Sequence, residues 1–264
     1  MVADPVMIMG PCGLESIETA LAAGCFIRSL AEKHKARFIF KGSFQKDNRT
    51  SGGGWTGPGL DRGLAMLEKV RAETGLPILT DIHVPSQAVP VAEVADILQI
   101  PAFLCRQTSL LEAAGATGRP VNVKKGQFMA PGNMSGAVGK LKGQGCPAVW
   151  LTERGTFFGY GDLVVDMRSL SVMAGMCDGV ILDVTHSLQK PGALGCESGG
   201  DRSFALNMAR AAAAWGVDGL FLEVHPDPLS AMSDSAVQLD FERAGILVAE
   251  ALRHWRGTET GNGC

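Results

Sequence analysis

Apolar residues along this chain gather in short, β-branched runs, separated by longer stretches with helical spacing. The runs are Val6–Gly10 (VMIMG), Arg37–Ser43 (RFIFKGS), Leu76–Ile82 (LPILTDI), Ala95–Ala102 (ADILQIPA), Pro120–Gly126 (PVNVKKG), Ala148–Gly155 (AVWLTERG), Gly179–His186 (GVILDVTH) and Gly219–His225 (GLFLEVH). Between them, segments such as Ser16–Lys33, Asp61–Thr74, Arg106–Ala116 and Arg202–Trp215 are rich in Ala, Leu, Glu and Arg and read as helices. Continuous apolar strands joined by helical crossovers predict parallel strands covered on their outer face. Eight such units in 264 residues predict a (β/α)8 barrel, a single domain over residues 1–264. A doubly wound open sheet is the alternative, because periodicity alone does not show closure.

Two polar stretches interrupt the pattern. Gln45–Pro58 (QKDNRTSGGGWTGP) and Gln189–Gly200 (QKPGALGCESGG) are too Gly-rich for helices. Long irregular loops in a compact domain are usually functional or mobile. No low-complexity tract or shift in composition marks a second domain.

Composition then narrows the function. A hydrophobic content of 46% is ample for a sizeable core, and the net charge of −3 argues against a general nucleic-acid-binding surface. No apolar run approaches the roughly 18 residues of a membrane helix, so no membrane partner is expected. The start of the sequence lacks the pattern of a secretion signal. Seven cysteines without a pairing pattern suit a reducing compartment. The expectation is a cytoplasmic protein.

Barrel enzymes place their chemistry at the carboxyl ends of the strands. In order, those ends carry Cys12, Lys41, Asp81, Gln99, Lys124, Arg154, His186 and Glu223. A single surface Lys or Arg means little. Eight polar groups converging on one mouth would each lose hydration without partners, and that points to a site. Cys12, His186, Glu223 and the downstream Asp234 offer a thiolate, an imidazole and two carboxylates, a set suited to one divalent ion such as Mn, Fe, Co or Zn. His225 and Asp227 lie close by as decoys, since continued alternation could turn His225 to the same face. Lys41, Lys46, Arg49, Lys124 and Arg154 form a cationic group on a slightly acidic protein, which argues for phosphorylated small molecules. Five cations exceed the need of one monoester and fit two phosphorylated substrates better.

The motifs GPCGLES (Gly10–Ser16), KGSFQKDNRTS (Lys41–Ser51), GPGLDRGL (Gly57–Leu64), TDIHVPSQ (Thr80–Gln87), LQIPAFLCRQT (Leu98–Thr108), VNVKKGQFMAP (Val121–Pro131), LTERGTFFGY (Leu151–Tyr160), DVTHSLQKPG (Asp183–Gly192) and EVHPDPLSAMSD (Glu223–Asp234) span almost the whole chain. In order and spacing they resemble the 3-deoxy-D-manno-octulosonate 8-phosphate synthase family. The related heptulosonate 7-phosphate synthases share the fold and metal set, but typically read K-P-R-T-S where this chain has Lys46–Ser51 with Asn48.

The resemblance implies condensation of phosphoenolpyruvate with D-arabinose 5-phosphate and release of phosphate. It implies that Lys124 and Arg154 hold the phosphoenolpyruvate phosphate, with Lys41, Lys46 and His186 along the same substrate and Asp81, Gln99 and Ala102 also in the substrate site. Asn48, Arg49 and Thr50 resemble the group that holds arabinose 5-phosphate. Cys12, Lys46, His186 and Asp234 are the implied catalytic residues. Cysteine rather than asparagine in the first motif marks the metal-dependent branch. A homotetramer and a role in lipopolysaccharide sugar synthesis, hence a Gram-negative-type source, are further implications. Thr50 replaces the usual Ser and keeps its hydroxyl. Thr56 stands where the family often has Arg. Two alternatives stay open: a heptulosonate phosphate synthase using erythrose 4-phosphate, and a non-catalytic phosphosugar-binding barrel.

Overall fold

A computed structural model of the chain describes residues 5–47, 54–158, 160–192 and 199–260. Eight parallel strands close into a barrel: β1 (Val6–Gly10), β2 (Arg37–Lys41), β3 (Ile78–Asp81), β4 (Ile97–Ile100), β5 (Val121–Lys124), β6 (Val149–Glu153), β7 (Gly179–Asp183) and β8 (Gly219–Glu223). They follow one another around the ring in sequence order, with β1 pairing β8 in register Val6↔Gly219 to Gly10↔Glu223. Closure removes the open-sheet alternative. The first strand keeps its sequence-predicted bounds, and the other seven stop short of the predicted carboxyl ends of their runs.

The crossover helices are α1 (Ile17–His34), α2 (Leu60–Thr74), α3 (Ala88–Val94), α4 (Thr108–Gly115), α5 (Ser135–Gly143), α6 (Arg168–Ala174), α7 (Ala205–Trp215) and α8 (Phe241–Thr260). The start of α1 is set by Ser16, whose hydroxyl accepts from Thr19 N at 3.1 Å, while Gly75 in the left-handed region ends α2. Among the described residues no helix is long and apolar enough to cross a membrane.

Alternation along the strands sorts side chains into two cores. Met7, Met9, Phe38, Phe40, Leu98, Val121, Val123, Leu151, Leu182, Leu220 and Leu222 face the helices in the main core. Val6, Ile8, Ile39, Leu79, Ile97, Ile181 and Phe221 fill the barrel interior. One step toward the carboxyl ends the interior turns polar. Thr152 Oγ1 donates to Asn122 Oδ1 at 2.7 Å, and Asn122 Nδ2 donates to Gln99 Oε1 at 3.0 Å, tying the neighbouring strands β6, β5 and β4 along the wall. At the other end Asp96, Asp178 and Asp218 accept from Ile78 N, Val149 N and Val180 N at 2.7–2.8 Å, pinning the starts of β3, β6 and β7. Gly10 sits where a Cβ would lie 1.8 Å from Lys41 O, so only glycine lets β1 close onto β2.

The Gln45–Pro58 stretch holds no regular element among its described residues. In the second Gly-rich stretch the described ends pair antiparallel as Gln189↔Gly200 and Lys190↔Gly199. A second ribbon, Thr156–Phe157 with Leu163–Val164, follows β6.

Candidate active site

The same alternation that buries Ile39, Leu79, Ile97, Ile181 and Phe221 puts Lys41, Asp81, Gln99, Asp183 and Glu223 two residues further on, inside the mouth. There a cavity of about 80 Å³ is lined by Lys41, Ser43, Lys46, Asp81, Gln99, Ala102, Lys124, Arg154, His186 and Phe221, among others. A larger hollow of about 810 Å³ lies behind β5 and β6, walled by Phe128, Phe157 and Phe158, and contains none of the residues expected to do chemistry. The small cavity is the candidate site.

Beside it the four expected ligands come together. One donor atom from each of Cys12, His186, Glu223 and Asp234 lies within 4.8 Å of the others. Cys12 follows β1, His186 opens the single 3-10 turn His186–Leu188 after β7, and Glu223 ends β8. Asp234 reaches the cluster because the loop after β8 folds back. His225 N donates to Leu239 O at 2.9 Å and Leu239 N to Glu223 O at 3.0 Å, and Asp234 itself takes a left-handed φ of 51°. Gln238 ties the two sides, accepting from Cys12 N at 3.3 Å and donating to Ser233 O at 2.8 Å.

The cluster fits a divalent ion. Glu223 Oε2 is buried and has no hydrogen-bond partner, although Oε1 accepts from Lys41 at 3.1 Å. Such a carboxylate oxygen is costly to leave bare. His186 turns Nε2 toward Glu223 at 3.5 Å, while Nδ1 lies 2.7 Å from Asp183 Oδ2 but out of line for a hydrogen bond. Burial and the charge of Glu223 push the Cys12 thiol well up, against the pull of Lys46 and Lys41. Its Sγ accordingly lies as a donor 3.0 Å from Asp234 Oδ2. Burial opposes the charge of Asp234, yet His186, Lys46 and its hydrogen bonds bring its carboxyl down to about 2.

The cations are not the free rim charges their sequence positions suggest. Lys41 donates to Cys12 O at 2.9 Å and to Glu223. Lys124 is paired with Asp183 and lies 3.1 Å from the Phe221 ring centroid. Burial brings the Lys124 ammonium down to about 8, with Asp183 acting in the opposite direction. Burial also works to lower Lys46, but Cys12, Glu223, Asp81 and Asp234 outweigh it and hold it above the ordinary range. Arg154 Nη2 donates to Gln189 Oε1 at 2.5 Å, and Nη1 is buried without a partner. Asp81 accepts from Ser43 and sits 3.3 Å from His83 Nε2.

Of the residues singled out from the sequence, Cys12, Lys41, Lys46, Asp81, Gln99, Ala102, Lys124, Arg154, His186, Glu223 and Asp234 meet here. Asn48, Arg49 and Thr50 lie outside the described residues. The decoy His225 turns away, with Nδ1 2.6 Å from Asp227 O and Nε2 3.5 Å from Glu15 Oε2. Sequence reasoning missed Asp183, which is fully buried and collects Thr185 N, Thr185 Oγ1 and His186 N on Oδ1 at 2.8–3.0 Å. Its position at the inward-facing end of β7, three residues before His186, was the available signal. Gln127 and Gln189 were missed as well.

The profile of the DAHP synthetase I family matches residues 3–254. A 2-dehydro-3-deoxyphosphooctonate aldolase of Nitratidesulfovibrio vulgaris (strain DP4) is 53% identical over 249 residues, covering 94% of this chain and 91% of that protein. Proteins of the same name are 50% identical over 247 residues in Desulfatibacillum aliphaticivorans (94% and 90% covered) and 53% identical over 225 residues in Synechococcus sp. (85% and 79% covered). With half its residues shared along nearly its whole length, the chain belongs to the DAHP synthetase I family, among its 2-dehydro-3-deoxyphosphooctonate aldolases.

Proposed function

We propose that the chain condenses phosphoenolpyruvate with D-arabinose 5-phosphate and water, giving 3-deoxy-D-manno-octulosonate 8-phosphate and phosphate. The observation that carries this reading is the meeting of a cation-lined cavity with a four-residue metal-ligand set at one barrel mouth. The names of the relatives favour arabinose 5-phosphate over erythrose 4-phosphate as the sugar. A purely binding role has no support, since no matched motif has lost a reactive group.

The chemistry needs positioning above all. C3 of phosphoenolpyruvate bonds to the aldehyde carbon, whose oxygen takes a proton and becomes a hydroxyl. C2 becomes electron-poor and bonds to water, which gives up a proton. The C2–O bond to phosphate then breaks, and inorganic phosphate leaves. Two phosphates facing one another repel unless cations stand between them. Lys124 and Arg154, on β5 and just beyond β6, hold the phosphoenolpyruvate phosphate, the unpartnered Arg154 Nη1 being free to donate. Lys41, Lys46 and His186 line the body of the same substrate. Asn48, Arg49 and Thr50, which follow β2 in the sequence, hold the sugar phosphate. Lys124, with its pKa near 8, is the cavity cation readiest to take or give a proton at neutral pH. Cys12, His186, Glu223 and Asp234 would hold one divalent ion of the Mn, Fe, Co or Zn kind, which supplies Lewis-acid stabilisation of a substrate oxygen.

A homotetrameric state, a cytoplasmic location and a place in lipopolysaccharide sugar synthesis complete the proposal by analogy with the resembled family. Phosphate release assayed with each sugar tests it. Turnover with erythrose 4-phosphate and none with arabinose 5-phosphate would transfer the chain to the heptulosonate enzymes, and none with either would leave only the binding role.

A further inference from the structure

Gln189 belongs neither to the ligand set nor to the cavity lining, yet its side chain touches both. Its Oε1 accepts from Arg154 Nη2 at 2.5 Å, and its Nε2 donates to Asp234 Oδ1 at 2.6 Å. The neighbours fix the sense of this amide. A guanidinium only donates and an ionised carboxylate only accepts, so the oxygen must face Arg154 and the nitrogen Asp234. A Glu here would set two carboxylates together, and a Lys would set two cations together. A primary amide of this reach is the neutral group that joins them.

The bridge is built, not incidental. Gln189 is 8% exposed, and its backbone N–H donates to His186 O, closing the turn that carries the imidazole ligand. Its strand partner Gly200 packs so tightly that a Cβ there would lie 2.2 Å from Val237 Cγ1, which seats the ribbon against the loop bearing Asp234. Division of labour at each end is complete. Asp234 turns Oδ2 to Cys12 and Ser233 at 3.0 and 3.1 Å, leaving Oδ1 for the amide. Arg154 gives Nη2 to the amide and leaves Nη1 buried and unpartnered.

We propose that Gln189 is a positioning residue that couples the metal-ligand cluster to the phosphate cradle, so that a divalent cation and a phosphate anion strengthen one another's binding through its amide. The inference rests on the site assignment made under the proposed function. Ordering the Asp234 carboxylate around a cation orders the amide, and an ordered amide holds the guanidinium plane at the angle a phosphate needs. The conformational cost is then met once for two ligands, and by linkage the effect is the same in either direction.

Calorimetry with Mn²⁺ and inorganic phosphate, each alone and each in the presence of the other, tests this without turnover. In the unmodified protein each ion should tighten the other about fivefold or more. Gln189→Met keeps length and loses both hydrogen bonds. It should weaken Mn²⁺ by roughly tenfold or more and shrink the coupling factor at least about threefold, since direct attraction between the ions is common to both proteins. Gln189→Leu serves as a second variant, with circular dichroism checking the fold. A coupling factor unchanged in a folded variant overturns the bridge alone. Failure of the unmodified protein to bind either ion overturns the site assignment and the bridge with it. If neither variant folds, hydrogen exchange on the unmodified protein decides: Mn²⁺ should slow exchange at Arg154–Gly155, and unchanged exchange there overturns the proposal.

Discussion

Replacing Asp183 by Asn removes one charge from a carboxylate that has no contact with solvent. Asp183 Oδ1 takes three donors from Thr185 and His186, and Oδ2 faces Lys124 Nζ and His186 Nδ1. Burial opposes its charge, but His186 and Lys124 outweigh burial and hold its carboxyl well below the ordinary range. Asn can serve the first set with its oxygen, and its NH₂ then confronts an ammonium. Removing one partner of a buried ion pair costs about 3–5 kcal/mol when the other stays charged. Lys124 has an escape, because burial already holds it near 8 and Asp183 is what raises it. Without Asp183 its pKa drops further, and shedding the proton caps the loss at about 1.4 kcal/mol per pH unit between that pKa and the solution. Stability should therefore fall by less than the full buried-pair figure, while the phosphate loses a cation. A charge-assisted hydrogen bond is worth about 1.5–3 kcal/mol, so kcat/KM for phosphoenolpyruvate should drop roughly one to two decades at neutral pH. The sign of the pH effect is fixed. Lys124 is charged below about 8 and neutral above, so the unmodified enzyme loses efficiency as pH rises through that value, and Asp183→Asn loses it at lower pH and recovers toward acid. Phosphate-release kinetics across that range, with urea unfolding alongside, measure both effects. A folded Asp183→Asn protein with an unmoved alkaline limb and undiminished efficiency would refute the reasoning.

Treatment with a chelator should abolish turnover, and Mn²⁺ or a similar ion should restore it; full activity in demonstrably metal-free protein would remove Cys12, His186, Glu223 and Asp234 from the ligand role. Metal affinity, read by titration, should fall toward acid pH, because the buried Cys12 thiol is pushed up and must lose its proton to bind. Cys12→Asn should lose the ion and keep some turnover, as the metal-independent branch of the resembled family uses asparagine there; zero turnover in the folded variant would show that the ion's chemistry has no substitute. Arg49→Ala should weaken use of arabinose 5-phosphate by roughly one to two decades and spare phosphoenolpyruvate binding. Calorimetry with each substrate alone, set beside steady-state kinetics, would expose the reverse pattern and with it a swapped assignment of the two phosphate sites.

The barrel was legible because its evidence is periodic: eight apolar runs survive as eight strands, all but the first trimmed at the end where the chain leaves the sheet. The meeting of Cys12 with Glu223 was legible because β1 and β8 must adjoin in a closed ring, however far apart the two residues lie in the sequence. What stayed hidden was pairing. Lys41 and Lys124 read as open anion-binding charges, but Glu223 and Asp183 occupy them in the folded chain. Nothing in one sequence says which carboxylate will meet which ammonium across a lumen. Gln189 was hidden for a related reason: an amide in a Gly-rich loop has no periodic signature, and its meaning appears only between Arg154 and Asp234. His225 was a fair decoy, since it follows Glu223 by two, and only the backbone turn toward Leu239 takes it away.

Charge balance explains why this mouth is assembled so tightly. Lys41, Lys46, Lys124 and Arg154 face Asp81, Asp183, Glu223 and Asp234, four positive groups against four negative ones in a largely buried space. Lys41 and Lys124 are each paired directly with a carboxylate, and the overall balance spares the site a net buried charge, which is tolerated poorly. The balance also disfavours a lone newcomer. A divalent cation alone leaves excess positive charge even after Cys12 gives up its proton, and a phosphate dianion alone leaves excess negative charge. Together each offsets part of the other, in surroundings where a charge counts for more than it does in water. The Gln189 amide gives that electrostatic preference a geometric path, from the carboxylate that would hold the cation to the guanidinium that would hold the anion.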